Sequence, residues 1–457
     1  MSCRAALFVA IVAILSARRA DAADRLCDAS NTDCRAPLLA LINNERVGID
    51  VGFWFMEDSR IYSALINRFN AGVPVRIIMD SRANANYPLN VTTLAALKTA
   101  GIPMREKYTS GIVHWKTMIF AGQHVVEFSG ANFTPHAFKP LTSYVDYHDE
   151  VIVTTDDPAL VNSFKTKFDD VWTTTAGYRT YANPPPALVR KYPIATIDSR
   201  LNFPPYNNFA TRSVGLYTKE TVGIDALIFR ITDRRHSDAM IAARQRGVVV
   251  RIITEQHEYR DKERLWDSWN VDRMYMAGVK IRVRNHTGWM HQKTTILRGQ
   301  QTTIFGSSNW TSPSASSQLE HNLFTKNLTM FHFMSDLFAR KWGNLAGITE
   351  TKAFTPLPPD LPSYVAPVAG ATGQPLTVTL KWKAGYWAHN YDIYFGTSST
   401  PPRIAANVNL GPSTSSTDYR KYTITNLKPG TTYYWKIVSK TMANKTATGK
   451  VVSFRTQ

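Results

Sequence analysis

The chain has 457 residues, of which 44% are apolar and 19% charged, and a formal net charge of +18. That length and balance leave room for two or three domains with full cores and exclude large-scale disorder. Beyond the first segment no apolar run approaches the roughly 20 residues that a membrane helix needs, which excludes a helical membrane domain.

Residues 1–22 read as a secretory signal. Arg4 precedes an apolar run at 5–17, which ends near the small-residue pattern Ala20-Asp21-Ala22. The run is too short to span a bilayer securely, and the late Arg18 and Arg19 leave an uncleaved anchor as the other reading. The expected location is secreted or periplasmic. Cys3 falls inside this segment, so Cys27 and Cys34 remain around "CDASNTDC". An isolated close pair in an exported chain predicts a disulfide rather than a redox or half-metal site. Its expected role is to pin the N-terminus and nothing more.

The next 330 residues hold a repeat. "HWKTMIF" at 114–120 is matched by "HQKTTIL" at 291–297, and each histidine is followed 18 residues later by an asparagine, Asn132 in "SGANFT" and Asn309 in "GSSNWT". Upstream, "AGVPVRIIMD" echoes "RGVVVRIITE" and "AGIPMR" echoes "AGVKIR". Downstream, Glu150 and Glu320 each stand 22 residues before a tryptophan, Trp172 and Trp342. The first copy carries about seven more residues between Asn and Glu, around "PHAFKPLTSYVDY". Each copy reads as strand, helix, strand, helix, strand, then the His strand, further strands and a closing amphipathic helix. The expected fold is a duplicated α/β sandwich of two pseudo-symmetric halves, 23–180 and 181–350, which brings equivalent residues together about a pseudo-twofold axis. The aromatic-rich segment 263–278 has its apolar residues at helical spacing and is expected to cover the sheet rather than face lipid.

A proline-rich linker over 351–364 leads to a segment, 365–457, of short β-runs separated by turn signals, expected to be an all-β sandwich. Trp382 in an early strand and the Leu427-x-Pro429-Gly430-Thr431-x-Tyr433 pattern resemble a fibronectin type III domain with its tyrosine corner. From residue 363 onward, eleven Lys and Arg stand against two Asp, half of the chain's net charge. A peripheral contact with a membrane or other anionic surface and a merely basic spacer both fit that excess.

Side chains alternate along a strand, so His114 and Lys116 project to one side, as do His291 and Lys293. Two imidazoles, two ammonium groups and the carboxamides of Asn132 and Asn309 then converge on one pocket. No acidic pair or Cys/His cluster at ligand spacing accompanies them, so neither a metal nor another cofactor is expected. Lysines and carboxamides suit a phosphodiester: they neutralise the non-bridging oxygens while one histidine attacks phosphorus and the other protonates the leaving oxygen. The attacking imidazole must be neutral with a free nitrogen, and a carboxylate on its other nitrogen secures that; Glu150 and Glu320 are the repeated candidates. Asn132 and Asn309 also head N-x-T patterns, but a matched position in both copies favours inward-facing residues over glycan acceptors. His124, His136, His257 and His286 have no repeated partner and are expected on the surface or in loops.

The doubled constellation resembles the phospholipase D superfamily, whose signature is His-x-Lys-x4-Asp followed by a Gly/Ser-rich turn ending in Asn. The resemblance covers roughly 35–350 and implies a two-step phosphodiesterase that works through a phosphohistidine. It further implies His114 as nucleophile, His291 as general acid and base, Lys116, Lys293, Asn132 and Asn309 around the phosphate, and Glu150 and Glu320 orienting the histidines. The signature Asp is missing from both copies, replaced by Ala121 and Arg298, as it is in the tyrosyl-DNA phosphodiesterase branch. Hydrolysis of phospholipid headgroup esters by a monomer holding both motifs is the first expectation. A secreted metal-independent nuclease, favoured by a pI near 9.7, is the second, and a non-catalytic anion-binding protein of the same fold is the third.

Overall fold

The computed structural model describes residues 24–412 and 419–457; the expected signal segment lies outside the described residues. Strands β1 (Asp24–Asp28), β2 (Ile49–Phe53), β3 (Val75–Met79), β4 (Met104–Lys107), β5 (Lys116–Phe120), β6 (Val125–Ser129), β7 (Val151–Thr155) and β8 (Tyr178–Ala182) form one sheet in the order β1-β7-β6-β5-β2-β3-β4-β8. A second sheet holds β9 (Leu201–Asn202), β10 (Gly223–Ile228), β11 (Val249–Thr254), β12 (Lys280–Arg284), β13 (Lys293–Leu297), β14 (Thr302–Gly306), β15 (Asn322–Thr325) and β16 (Thr351–Ala353). Its order is β16-β12-β11-β10-β13-β14-β15-β9, so β7-β6-β5-β2-β3-β4 recurs as β15-β14-β13-β10-β11-β12. The chain is a duplicated α/β fold, with three parallel strands in each half joined to an antiparallel run that begins at the His strand.

The local causes are repeated as well. β2 is buried along its whole length, as expected for a strand covered on both faces. Its Asp50 is forked by Arg76 of β3 at 2.7 and 2.9 Å, and Asp225 of β10 is forked by Arg251 of β11 at 2.6 Å twice. The helices that follow, Ser59–Asn70 and Arg234–Gln245, start on Asp58 and Asp233, whose carboxylates accept from backbone N–H groups of the first turn.

Each half keeps its own core, but the largest apolar cluster belongs to both. Val126, Phe128, Phe164 and Phe168 of the first half pack there with Phe305, Leu323, Met334 and Phe338 of the second. The closing helices Pro158–Thr173 and Leu328–Gly343 supply much of it. Neither half can bury that face alone, so the two halves are held together there by the hydrophobic effect.

The C-terminal segment is all-β. Ser363–Ala366, Val378–Lys383 and Tyr419–Ile424 make one sheet, and Asn390–Gly396 and Thr432–Lys440 lie within the other, around buried Trp382, Tyr391 and Trp435. The Tyr433 hydroxyl accepts from Lys428 N–H at 2.9 Å, the bond of a tyrosine corner. This module is docked on the second half: Arg260 lies 3.6 Å over the Trp387 ring, and Ser268 bonds the His389 ring at 3.2 Å. The helix Leu265–Met276 buries Leu265, Trp269, Val271 and Met274 as expected, and Trp266 and Met276 stay partly exposed.

Candidate active site

The strand that enters each histidine crosses into the other half. Val113 bridges Leu319 and Met290 bridges Asp149; His114 N–H donates to Leu319 O at 2.9 Å, and Asp149 N–H donates to Trp289 O at 2.7 Å. Three residues before each histidine lies a glycine at positive φ, Gly111 at +74° and Gly288 at +93°. A Cβ there would stand 2.0 Å from Ser317 O or 2.1 Å from Tyr147 O, so the two backbones can cross only at glycine. The repeated Gly-x-x-His is legible in the sequence, in "GIVH" and "GWMH".

This crossing decides the pairing of the site. His114 Nδ1 meets Glu320 Oε2 at 2.8 Å, and His291 Nδ1 meets Glu150 Oε1, so each histidine is oriented by the carboxylate of the opposite half. Beside them, the ammonium groups of Lys116 and Lys293 each donate to the carbonyl of the histidine two residues back. Asn132 and Asn309 each keep Oδ1 buried with no hydrogen-bond partner among the described residues, leaving those carboxamides uncommitted. The histidines, lysines and glutamates singled out from the sequence thus meet in one constellation drawn from both halves, and Asn132 lines the same cavity as His291.

Burial governs the protonation states. It pushes His114 down to about 4 against the pull of Glu320, and His291 well below its ordinary value, with Lys293 and Lys116 adding to the effect. It also brings Lys116 down to about 7 and Lys293 to about 8. The two carboxylates differ. Burial raises Glu150 to about 8, whereas Glu320, equally buried, is held below its usual value by His114, Lys116 and the Ser307 hydroxyl.

The constellation floors a cavity of about 490 Å³ that Asn132 and His291 reach directly. Phe55 stacks on Tyr87 at 3.6 Å along one wall; Phe229 lies 4.7 Å from the His291 ring and 5.2 Å from the Lys293 ammonium. Trp289, Arg230 and Arg264 complete the lining with the carboxylates of Glu57, Glu258 and Asp261. None of these was singled out from the sequence, because equivalent positions, such as Phe55 and Arg230, carry unlike residues in the two copies. His136 and His257 also line the cavity rather than plain surface, and His286 is buried against Tyr147 at 3.8 Å.

Ala121 and Arg298 stand at the far ends of β5 and β13 from the histidines. Ala121 N–H donates to Gly48 O, and Arg298 pairs with Asp225 at 3.6 Å. The turns there are tied by other carboxylates: Glu45 accepts from Val47, Gly48 and Gly122, and Glu220 from Val222, Gly223 and Gly299. Their signal is the twice-written "E-x-V-G-I-D" at 45–50 and 220–225.

The disulfide Cys27–Cys34 forms, and it does more than pin the N-terminus. β1 runs beside β7 as far as Asp28, and Ala29 N–H donates to the carbonyl of Glu150 at 3.1 Å. The closed loop therefore backs one of the two site carboxylates.

A duplicated α/β fold whose halves share a His-Lys-Asn-Glu set defines a member of the phospholipase D superfamily. The chain belongs to the family described as "Cardiolipin synthase, PLD-like domain", which matches residues 38–172 and 218–342. It is similar to the mitochondrial cardiolipin hydrolase of Chlamydomonas reinhardtii, 24% identical over 119 residues, 26% of this chain and about half (51%) of the relative's length. Among solved structures it resembles phosphatidylserine synthase of Haemophilus influenzae, with a TM-score of 0.55, 11% identity, and coverage of 72% of this chain and 87% of that one. Polyphosphate kinase from Porphyromonas gingivalis matches with a TM-score of 0.50 and 15% identity over 73% of this chain and 48% of that one. At such identities these two likenesses show the fold alone.

Proposed function

We propose that the chain is an exported phosphodiesterase that hydrolyses headgroup esters of phospholipids through a phosphohistidine. The observation that carries this reading is the crossed pairing of His114 with Glu320 and His291 with Glu150 beside two buried lysines. Neutral His114, with Nδ1–H given to Glu320, has a free lone pair on Nε2 to attack phosphorus. The P–O bond to the leaving group breaks, and the leaving oxygen takes a proton from His291. Water then attacks the phosphoryl group and gives its proton to His291, and the P–N bond returns its electrons to His114. Lys116 and Lys293 neutralise the non-bridging oxygens throughout, with the carboxamides of Asn132 and Asn309 beside them.

The cavity favours a lipid headgroup over a nucleic acid. Glu258 and Asp261 on its wall are paired with Arg230 and Arg264, so the charges there largely cancel, and the wall offers one phosphate an aromatic enclosure rather than a basic track for a polyanionic strand. The name of the relative that marks it as acting on cardiolipin agrees with that choice. The test is turnover of a chromogenic phosphodiester with chelator present, for wild type, His114→Ala and His291→Ala, followed by headgroup release from mixed micelles and cleavage of plasmid DNA over a salt series. Activity lost in both variants, with headgroup release, is expected. DNA cleavage without headgroup release would make the chain a nuclease, and no turnover of any diester would make it an anion-binding protein.

A further inference from the structure

One of the positions at which the two copies differ lies against the site carboxylates. Counting back from Asn132 and Asn309, Gly130 corresponds to Ser307. The Ser307 hydroxyl donates to Glu320 Oε2 at 2.5 Å, the same oxygen that meets His114. In the other copy there is no hydroxyl to give: a Cβ on Gly130 would stand 2.8 Å from Glu150 Oε2, and that oxygen is buried with no hydrogen-bond partner among the described residues. We infer that Ser307, facing its hydroxyl-less counterpart Gly130, is the positioning residue that divides the labour between the histidines. It makes His114 the nucleophile and leaves His291 the proton carrier.

The chemistry follows from proton placement. A carboxylate that accepts a hydroxyl hydrogen bond is stabilised in its charged form, so Glu320 stays ionised and takes Nδ1–H from a neutral His114, baring Nε2. Around Glu320 the other groups are His114, whose Nδ1–H it accepts, Lys116, Lys293 and the adjoining His321; His114 and the two ammonium groups favour its charge. Glu150 faces His291, Lys293 and Lys116 but also Asp149, and it lacks the hydroxyl. It retains a proton in its contact with His291 Nδ1, so that as the leaving oxygen takes the Nε2–H the Glu150 proton passes to Nδ1 and the imidazole stays neutral. The raised state of Glu150 and the lowered state of Glu320 agree with this division.

This deepens the phosphodiesterase reading and rests on it, so the experiment separates the two. Turnover of bis(2,4-dinitrophenyl) phosphate is followed against pH for wild type and Ser307→Ala. The aryl-phosphoryl adduct is trapped by an alkaline quench and located by peptide mass spectrometry. In Ser307→Ala the acid limb of kcat/KM should move up by about 1–2 pH units, the worth of one charge-assisted hydrogen bond. The wild-type adduct should sit on His114. An acid limb that stays in place while turnover falls equally at every pH, or a wild-type adduct on His291, would overturn the inference and leave the phosphodiesterase intact. A wild type that turns over no diester would remove the phosphodiesterase reading itself. Should Ser307→Ala fail to fold, the position of the wild-type adduct still decides.

Discussion

His114 and Glu320 stand 206 residues apart in the chain and 2.8 Å apart in the fold, and the mirror pair, His291 and Glu150, is separated by 141 residues. Each half supplies an imidazole that it cannot orient and a carboxylate that it cannot use.

The crossing can be read directly. In Glu320→Gln the His114 Nδ1–H loses its ionised acceptor, and its low-field proton resonance should disappear while that of the proton between Glu150 and His291 Nδ1 persists. Glu150→Gln should do the reverse. Each change should lower kcat on the order of 10²–10⁴-fold, the range of a general acid–base contribution. Loss of the His114 resonance in Glu150→Gln instead would mean that each half orients its own histidine.

The pH profile has a definite direction. In the free enzyme Lys116 titrates at about 7, Lys293 at about 8 and Glu150 at about 8. All three are protonated in the working state, so kcat/KM should fall as pH rises through 7–8. A bound phosphodiester restores both ammonium groups, so the alkaline limb of kcat should lie higher. Coincident limbs in kcat and kcat/KM would mean that the lysines do not meet the substrate anion.

Much of this architecture is legible before any coordinates. The repeated His-x-Lys and Glu spacings name the six residues whose contacts build a site shared by the two halves, and the alternation of "VPVRIIMD" with amphipathic stretches names the sheet and its helices. Which glutamate meets which histidine is not legible, because spacing along one copy carries no register between copies. The cavity wall is hidden for a related reason. Phe55 and Arg230 are equivalent positions filled by unlike residues, so a search for repeats passes over them. Gly111 and Gly288, by contrast, are open to view; a glycine before a repeated strand reads as a turn until the crossing chain supplies the reason.

Those glycines make a sharp test. Gly111→Ala and Gly288→Ala place a Cβ against a carbonyl at positive φ, and each should destabilise by at least about 2 kcal/mol and abolish turnover. Gly72→Ala, also at positive φ but with nothing within 4 Å, should cost about 1 kcal/mol and keep activity. Thermal melts and kcat on the three variants separate backbone strain from a blocked crossing.

Removing the disulfide should affect both stability and rate. Cys27→Ser/Cys34→Ser releases a loop of eight residues, and the chain-entropy estimate for that length is about 2.5 kcal/mol. Because Ala29 holds the Glu150 carbonyl, kcat should also fall several-fold. A lower melting temperature with unchanged kcat would return the loop to a purely structural role.

Covalent linkage of the two copies has a consequence for their history. A site built by two identical chains must carry the same residue at both equivalent positions, so its two histidines are interchangeable. Once both copies lie in one polypeptide, each can drift under its own selection, and Gly130 opposite Ser307 is a difference that no symmetric assembly could record. The same freedom gave one copy the longer loop that reaches His148 at the cavity rim, so the duplicated scaffold preserves the chemistry while its two sides diverge in use.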